Sequence, residues 1–248
     1  MIAQSLRRGF AGLVAASLIG ITQPAFTQTP DPAILTLFAE TAFGGADGSP
    51  SRSIVIRPDG PVMPITLYGA AKDHEATVTG LAAEIAAATG LEVPVLLAEG
   101  EGWPAGRPDT IQVYEIDRPA MWRLLAGHQD WVSSRTIDSV MRGLCFFITR
   151  GRESVIGALV VIQSDLDPTL TDHCLAEEIT QTFGPLSDSQ AIRPSLFNDP
   201  GPHLPAMTAA DRQALALFYL PGMVPGLPRD EALSLAAQAL TARGADDL

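Results

Sequence analysis

The sequence predicts an α+β domain in which a mixed β-sheet packs against helices, and three features of the 248-residue chain predict it. Short β-branched segments alternate with helical periodicity through the first half. Two strongly apolar runs, Leu144 to Thr149 and Val155 to Ser164, flank the polar turn Arg150-Gly151-Arg152-Glu153. The remainder carries helical periods separated by proline-rich stretches, so the C-terminal part is expected to be mostly helical.

Taken in order, Ala33 to Phe43 sets Ile34, Leu37, Phe38 and Ala42 at helical spacing until Gly44-Gly45 and Asp47-Gly48-Ser49-Pro50 break it. Ser53 to Arg57 and Met63 to Tyr68 read as two strands joined by the turn residues Pro58-Asp59-Gly60-Pro61, which predicts a hairpin. Asp73 is the expected N-cap of an alanine-rich helix over Ala76 to Thr89, which puts Val78, Leu81, Ala82, Ile85 and Ala88 on one face and stops at Gly90. Val93 to Ala98 and Ile111 to Ile116 are strands on either side of a Gly/Pro loop. Pro119 to Leu125 predicts a helical turn or two, and Trp122 and Trp131 are read as packing residues.

The runs around 144 and 164 suit a buried hairpin at the centre of the sheet. Thr171 or Asp172 then caps a helix that runs to Phe183, with Gly184-Pro185 as its stop. Residues 185 to 207, with five prolines, are expected to wrap the surface. Thr208 with Asp211 three residues on is a form of capping box before a helix over Gln213 to Leu220, and Asp230 to Ala242 is the last amphipathic helix.

The start of the chain has a separate meaning. Arg7 and Arg8 precede an apolar run from Ala11 to Ile21, and small residues follow at Pro24-Ala25-Phe26-Thr27, the layout of a cleavable secretory signal. The run is too short to span a bilayer, which takes roughly 20 helical residues. Residues 1–27 are therefore expected to be a signal peptide and 28–248 a single domain, periplasmic or secreted, with no stable membrane anchor. Losing Arg7 and Arg8 takes the formal net charge from −12 to −14, which argues against nucleic acid as a partner. The two cysteines, Cys145 and Cys174, would enter a compartment that permits disulfides, and one bridge is expected. It would close a loop of about thirty residues and stabilise the fold by about 3 kcal/mol.

Chemistry concentrates in residues 172–189, DHCLAEEITQTFGPLSDS. Glu177 and Gln181 are four apart and share one helix face. In the zinc-peptidase pattern His-Glu-x-x-His, the outer residues ligate Zn²⁺ and the glutamate acts as general base on metal-bound water. Its metzincin extension continues x-x-Gly-x-x-His. Aligned on this pattern, Glu178 takes the place of the general base and Gly184 that of the glycine, while Glu177, Gln181 and Ser187 replace the three ligands. A Gln carbonyl and a Ser hydroxyl are poor donors for Zn²⁺, so no metal and no other cofactor is expected. A solvated helix face explains the tandem glutamates equally well. His173, four before Glu177, and Asp188 are the residues an unusual metal site would use, whereas His74, His128 and His203 stand isolated in the sequence. Gly-x-Ser-x-Gly elbows, phosphate-binding glycine loops, Cys-x-x-Cys pairs and Ca²⁺ loops are missing from the sequence.

The series Cys174-x-x-Glu177-Glu178-x-x-Gln181-x-x-Gly184, then Ser195-Leu196-Phe197-Asn198-Asp199, then Asp211, Leu217-Phe218-Tyr219 and Pro221-Gly222-Met223-x-Pro225-Gly226 resembles the proteobacterial family known as domain of unknown function 2927, over roughly residues 35–230. The resemblance implies an exported or envelope protein whose tandem-glutamate helix is similar to a decayed zincin helix, and Met207 to Tyr219 is similar to the helix after the Met-turn of metzincins. It therefore implies a zincin-like α+β fold with the active-site-type helix following the sheet hairpin. The function expected is a non-catalytic binding or envelope-associated module that takes a protein or peptide partner in a groove around Glu177, Gln181 and Gly184. The alternative is an atypical hydrolase or metallopeptidase with Glu178 as general base.

Overall fold

A computed structural model describes residues 32–44, 52–99, 109–127, 143–198 and 201–246. The expected signal peptide, His128, Trp131 and Asp199 lie outside the described residues. Among the described residues, six α-helices and five strands occur in the order α1 (Pro32–Phe43), β1 (Ile65–Gly69), α2 (Glu75–Thr89), β2 (Val95–Leu97), β3 (Ile111–Ile116), α3 (Arg118–Ala126), β4 (Cys145–Arg150), β5 (Gly157–Gln163), α4 (Pro168–Gln181), α5 (Ala209–Leu217) and α6 (Arg229–Asp246). The α+β class expected from the sequence is the one observed.

The strands form one mixed sheet in the order β2-β1-β3-β5-β4. β1, β2, β3 and β5 run parallel, and β4 pairs antiparallel with β5 in the register Phe147↔Val160. Alternation along each strand separates two cores. Ile65, Leu67, Ile111, Val113, Val160 and Ile162 face α2, α4 and α5, whereas Tyr68, Tyr114, Leu159 and Val161 face α3 through Met121, Leu124 and Leu125. Because β5 is covered on both faces, it reads as an unbroken apolar run rather than an alternating one. A third cluster joins α1, α5 and α6 through Phe38, Phe43, Phe218 and Met223, and Tyr219 packs against it and against the first core.

Several local expectations are corrected. Ser53 to Arg57 and β1 do not form a hairpin: Ile54 makes a lone antiparallel bridge to Pro228, and β1 pairs in parallel on both sides. Adjacency in sequence could not reveal that the partners of β1 are β2 and β3. The antiparallel hairpin of β4 and β5 does form, yet β4 is the edge strand and not the sheet centre. Residues Ala70–His74 make a 3-10 turn, so α2 begins at Glu75 with no side-chain cap from Asp73. The Gly/Pro-rich stretch 185–207 does not simply wrap the surface, since Ser195, Leu196, Phe197 and Asn198 are buried. Trp122 stands half exposed on α3 instead of packing in a core.

The cap of α4 is Asp167, whose side chain accepts from Leu170 N at 3.1 Å with Pro168 in the first turn, upstream of the expected Thr171 or Asp172. Asp167-Pro168 both ends the segment after β5 and starts the helix, because an aspartate cap followed by proline suits a helix start as well as a strand stop. At α5, Thr208 and Asp211 form the expected capping box, and it is reciprocal. Among the described residues, no helix is long and apolar enough to cross a membrane.

Candidate functional site: an acidic cleft beside helix α4

Helix α4 lies on the sheet with Leu175 and Ile179 in the core, and its next face is polar. Helical periodicity stacks two adjacent rows there, Leu170-Cys174-Glu178 and His173-Glu177-Gln181, each with four-residue spacing. Both rows line a cleft of about 390 Å³. Its opposite walls come from Leu144 and Cys145 at the start of β4, from Asp188 beyond the helix, and from His203.

The expected disulfide links Cys145 to Cys174, with Cα atoms 5.9 Å apart. It fixes the edge strand to the helix at the floor of the cleft, so the distance between the two walls is set covalently. Gly184 has φ +142°, and a Cβ there would meet the Phe218 ring at 2.6 Å. The glycine thus lets the chain leave α4 in close contact with α5, and it lies against Phe218 rather than among the cleft-lining residues.

The tandem glutamates are not a solvated helix face: Glu177 is 9% and Glu178 7% exposed. Burial, reinforced by the neighbouring charges of Glu177 and Asp188, raises the Glu178 carboxyl well above the ordinary carboxylate range, while the Phe147 backbone N–H opposes that shift. Phe147 belongs to the edge of the sheet. Leu144 and Arg150 turn their carbonyls toward β5, where they accept from Gln163 N and Ile156 N, so by alternation the main-chain groups of Cys145, Phe147 and Thr149 point outward from the sheet.

The other polar groups of the cleft hold one another. His173 Nε2 lies 3.2 Å from Glu177 Oε2, and His173 Nδ1 lies 3.0 Å from the Leu204 carbonyl. Gln181 Nε2 donates to Asp188 Oδ1 at 3.0 Å. Ser187, at the third ligand position of the peptidase pattern, is turned to Arg52 instead: Arg52 donates to Ser187 Oγ at 2.9 Å and to the Leu186 carbonyl at 2.8 Å. Its neighbour Asp188 is the residue that reaches the cleft. A zinc site needs at least three converging nitrogen, sulfur or carboxylate donors. Among the described residues no three His, Cys, Asp or Glu side chains are placed to provide them, so the donor set does not fit that metal.

Sequence spacing brought Glu177, Glu178, Gln181, His173 and Asp188 together, and the structure does so as well. It missed His203, whose ring lies 5.0 Å from that of His173, because a separation of thirty positions leaves no periodic trace. Likewise His74 is not isolated: its Nε2 is 3.0 Å from Glu115 Oε2, and neither residue lines the cleft.

Fold and site together define an α+β domain whose disulfide-anchored helix lines an acidic cleft at the antiparallel edge of a mixed sheet. The profile of a family described as protein of unknown function (DUF2927) matches residues 34–238, and the chain belongs to that family. No curated protein and no solved structure matches the chain.

Proposed function

We propose that this is an exported, periplasmic or secreted binding module built on a degenerate zincin-like scaffold, which receives an extended segment of an envelope protein or peptide along β4 without cleaving it. The observation that carries the reading is the cleft itself, which opens at the start of β4, the edge strand among the described residues, whose main-chain groups at Cys145 and Thr149 and whose Phe147 carbonyl are turned away from β5. A strand edge of this kind binds by main-chain pairing, with side-chain specificity from the adjoining pocket. The zincin-like element is supported by the order hairpin, then helix, and by the placement of Glu178 in the cleft wall one turn after the bridged Cys174. The non-catalytic element is supported by the ligand positions: Glu177 is engaged by His173, Gln181 by Asp188, and Ser187 by Arg52. Export is supported by the leader pattern of residues 1–27 and by the disulfide.

The test is a screen of immobilised extended peptides against the mature chain, read together with its metal content. Binding that perturbs the amide resonances of β4, from protein free of stoichiometric zinc and with every peptide recovered intact, is the expected result. One tightly held Zn²⁺ per chain, or peptide cleavage, rejects the non-catalytic reading.

One observation favours a second reading, a hydrolase with Glu178 as general acid or base. A buried carboxyl with a raised pKa in a cleft is the kind of group such catalysis employs. In that case Glu178→Gln abolishes whatever turnover the screen uncovers, and unchanged turnover removes Glu178 from the role.

A further inference from the structure

His173 stands between two acceptors on two different elements. Its Nδ1 faces the Leu204 carbonyl at 3.0 Å, and its Nε2 faces a Glu177 carboxylate oxygen at 3.2 Å. A carbonyl oxygen and a carboxylate can only accept, so both contacts are hydrogen bonds only when both ring nitrogens carry protons. The neutral ring has one proton for two acceptors. The carboxylate is the stronger partner, since a charge-assisted bond is roughly twice as strong as a neutral one, and the proton stays on Nε2. The Nδ1 lone pair is then opposed to the lone pairs of the Leu204 carbonyl.

We infer that His173 is a proton-operated latch: doubly protonated, it ties the segment 201–206 to α4 at the side of the cleft, and on losing a proton it releases that segment. The latch is independent of what the cleft binds and extends the proposed function only by setting how open the cleft is. Among the described residues, the charged and titratable groups lining the cleft around His173 are Glu177 and Glu178 on its own helix, Asp188 from the chain beyond α4, and His203 from the segment itself. From β4 comes Cys145, which is bridged and does not titrate. His203 is exposed and moves with the segment, so its charging would oppose His173 rather than replace it. Imidazole is the side chain whose ordinary titration, near pH 6.5, lies within the range an envelope protein meets.

The experiment is solution NMR of the ¹⁵N-histidine-labelled mature chain between pH 5.5 and 8.5. The ring of His173 should show two protonated nitrogens at the acid end and the Nε2–H tautomer at the alkaline end. The Leu204 carbonyl ¹³C resonance should move with the same midpoint, and the released population of 201–206, read from ¹⁵N relaxation of His203 and Leu204, should rise roughly tenfold. His173→Gln should remove the pH dependence, whereas His203→Gln should retain it. A ring that is singly protonated at both ends overturns the latch. So does a Leu204 transition that survives in His173→Gln or disappears in His203→Gln. The ring measurement uses the unmodified chain and therefore stands when a variant does not fold.

Discussion

Cys145 at the start of β4 is bonded to Cys174 in the middle of α4, four residues before Glu178, so a single covalent link sets the spacing between the sheet edge and the carboxyl that faces it. The bridge spans 29 residues of sequence and includes β5 within its loop. Replacing both cysteines by serine is expected to lower the unfolding free energy by about 3 kcal/mol, the loop-closure value for a ring of this size. Urea unfolding measures it. A loss below about 1 kcal/mol would show that the loop is already constrained in the unfolded chain.

Glu178 gives a signed pH prediction. Its carboxyl pKa is raised above 4.5 in the folded state, so on raising the pH the unfolded chain releases the proton first. Stability contributed by this group is therefore fully present below about pH 4.5, falls as pH rises through the folded-state value, and stays lost above it. Glu178→Gln should be more stable than the natural chain at pH 8, with the difference shrinking toward pH 4.5. Parallel stability-pH curves for the two proteins would contradict the burial argument.

Gly184 is held by contact as well as by backbone. Alanine there would adopt φ +142° and put its Cβ 2.6 Å from the Phe218 ring, so Gly184→Ala should destabilise by about 2–4 kcal/mol. Phe218→Leu in the same chain should recover part of that loss. Strict additivity in a double-mutant cycle would mean that backbone strain alone is responsible.

Asp211 is fully buried and accepts from Ser195 Oγ at 2.6 Å, Leu196 N at 3.0 Å, Thr208 N at 2.7 Å and Thr208 Oγ1 at 2.8 Å. It caps α5 and also ties the 195–196 segment to that helix. Asp211→Ala leaves these donors without an acceptor and should cost about 3 kcal/mol or more, well above an ordinary helix cap. A loss of about 1 kcal/mol, within the range of a cap alone, would show that 195–196 re-pairs elsewhere.

Much of the architecture was legible from the chain because it is local. The periods of α1, α2 and α5, the strand over Ile111 to Ile116, the Thr208–Asp211 box and the turn between β4 and β5 each depend on residues within a few positions of one another. Half of the site was legible for the same reason, since Glu177, Glu178 and Gln181 share a helix. The other half was not. His203, the outward turn of Ser187 toward Arg52, and the placement of β4 at the sheet edge depend on segments far apart in sequence.

By itself the sequence determined the α+β class, the pairing of its only two cysteines, and the helix that presents the tandem glutamates. Periodicity and turn chemistry act over one or two turns of chain, which is the range a sequence pattern can encode. Only the tertiary structure decided that those glutamates are buried against β4 instead of solvated, and that His173 bridges two elements. Burial and proton sharing are set by which distant surfaces close on one another, and the free energy of that closure belongs to the assembled fold and not to any one segment.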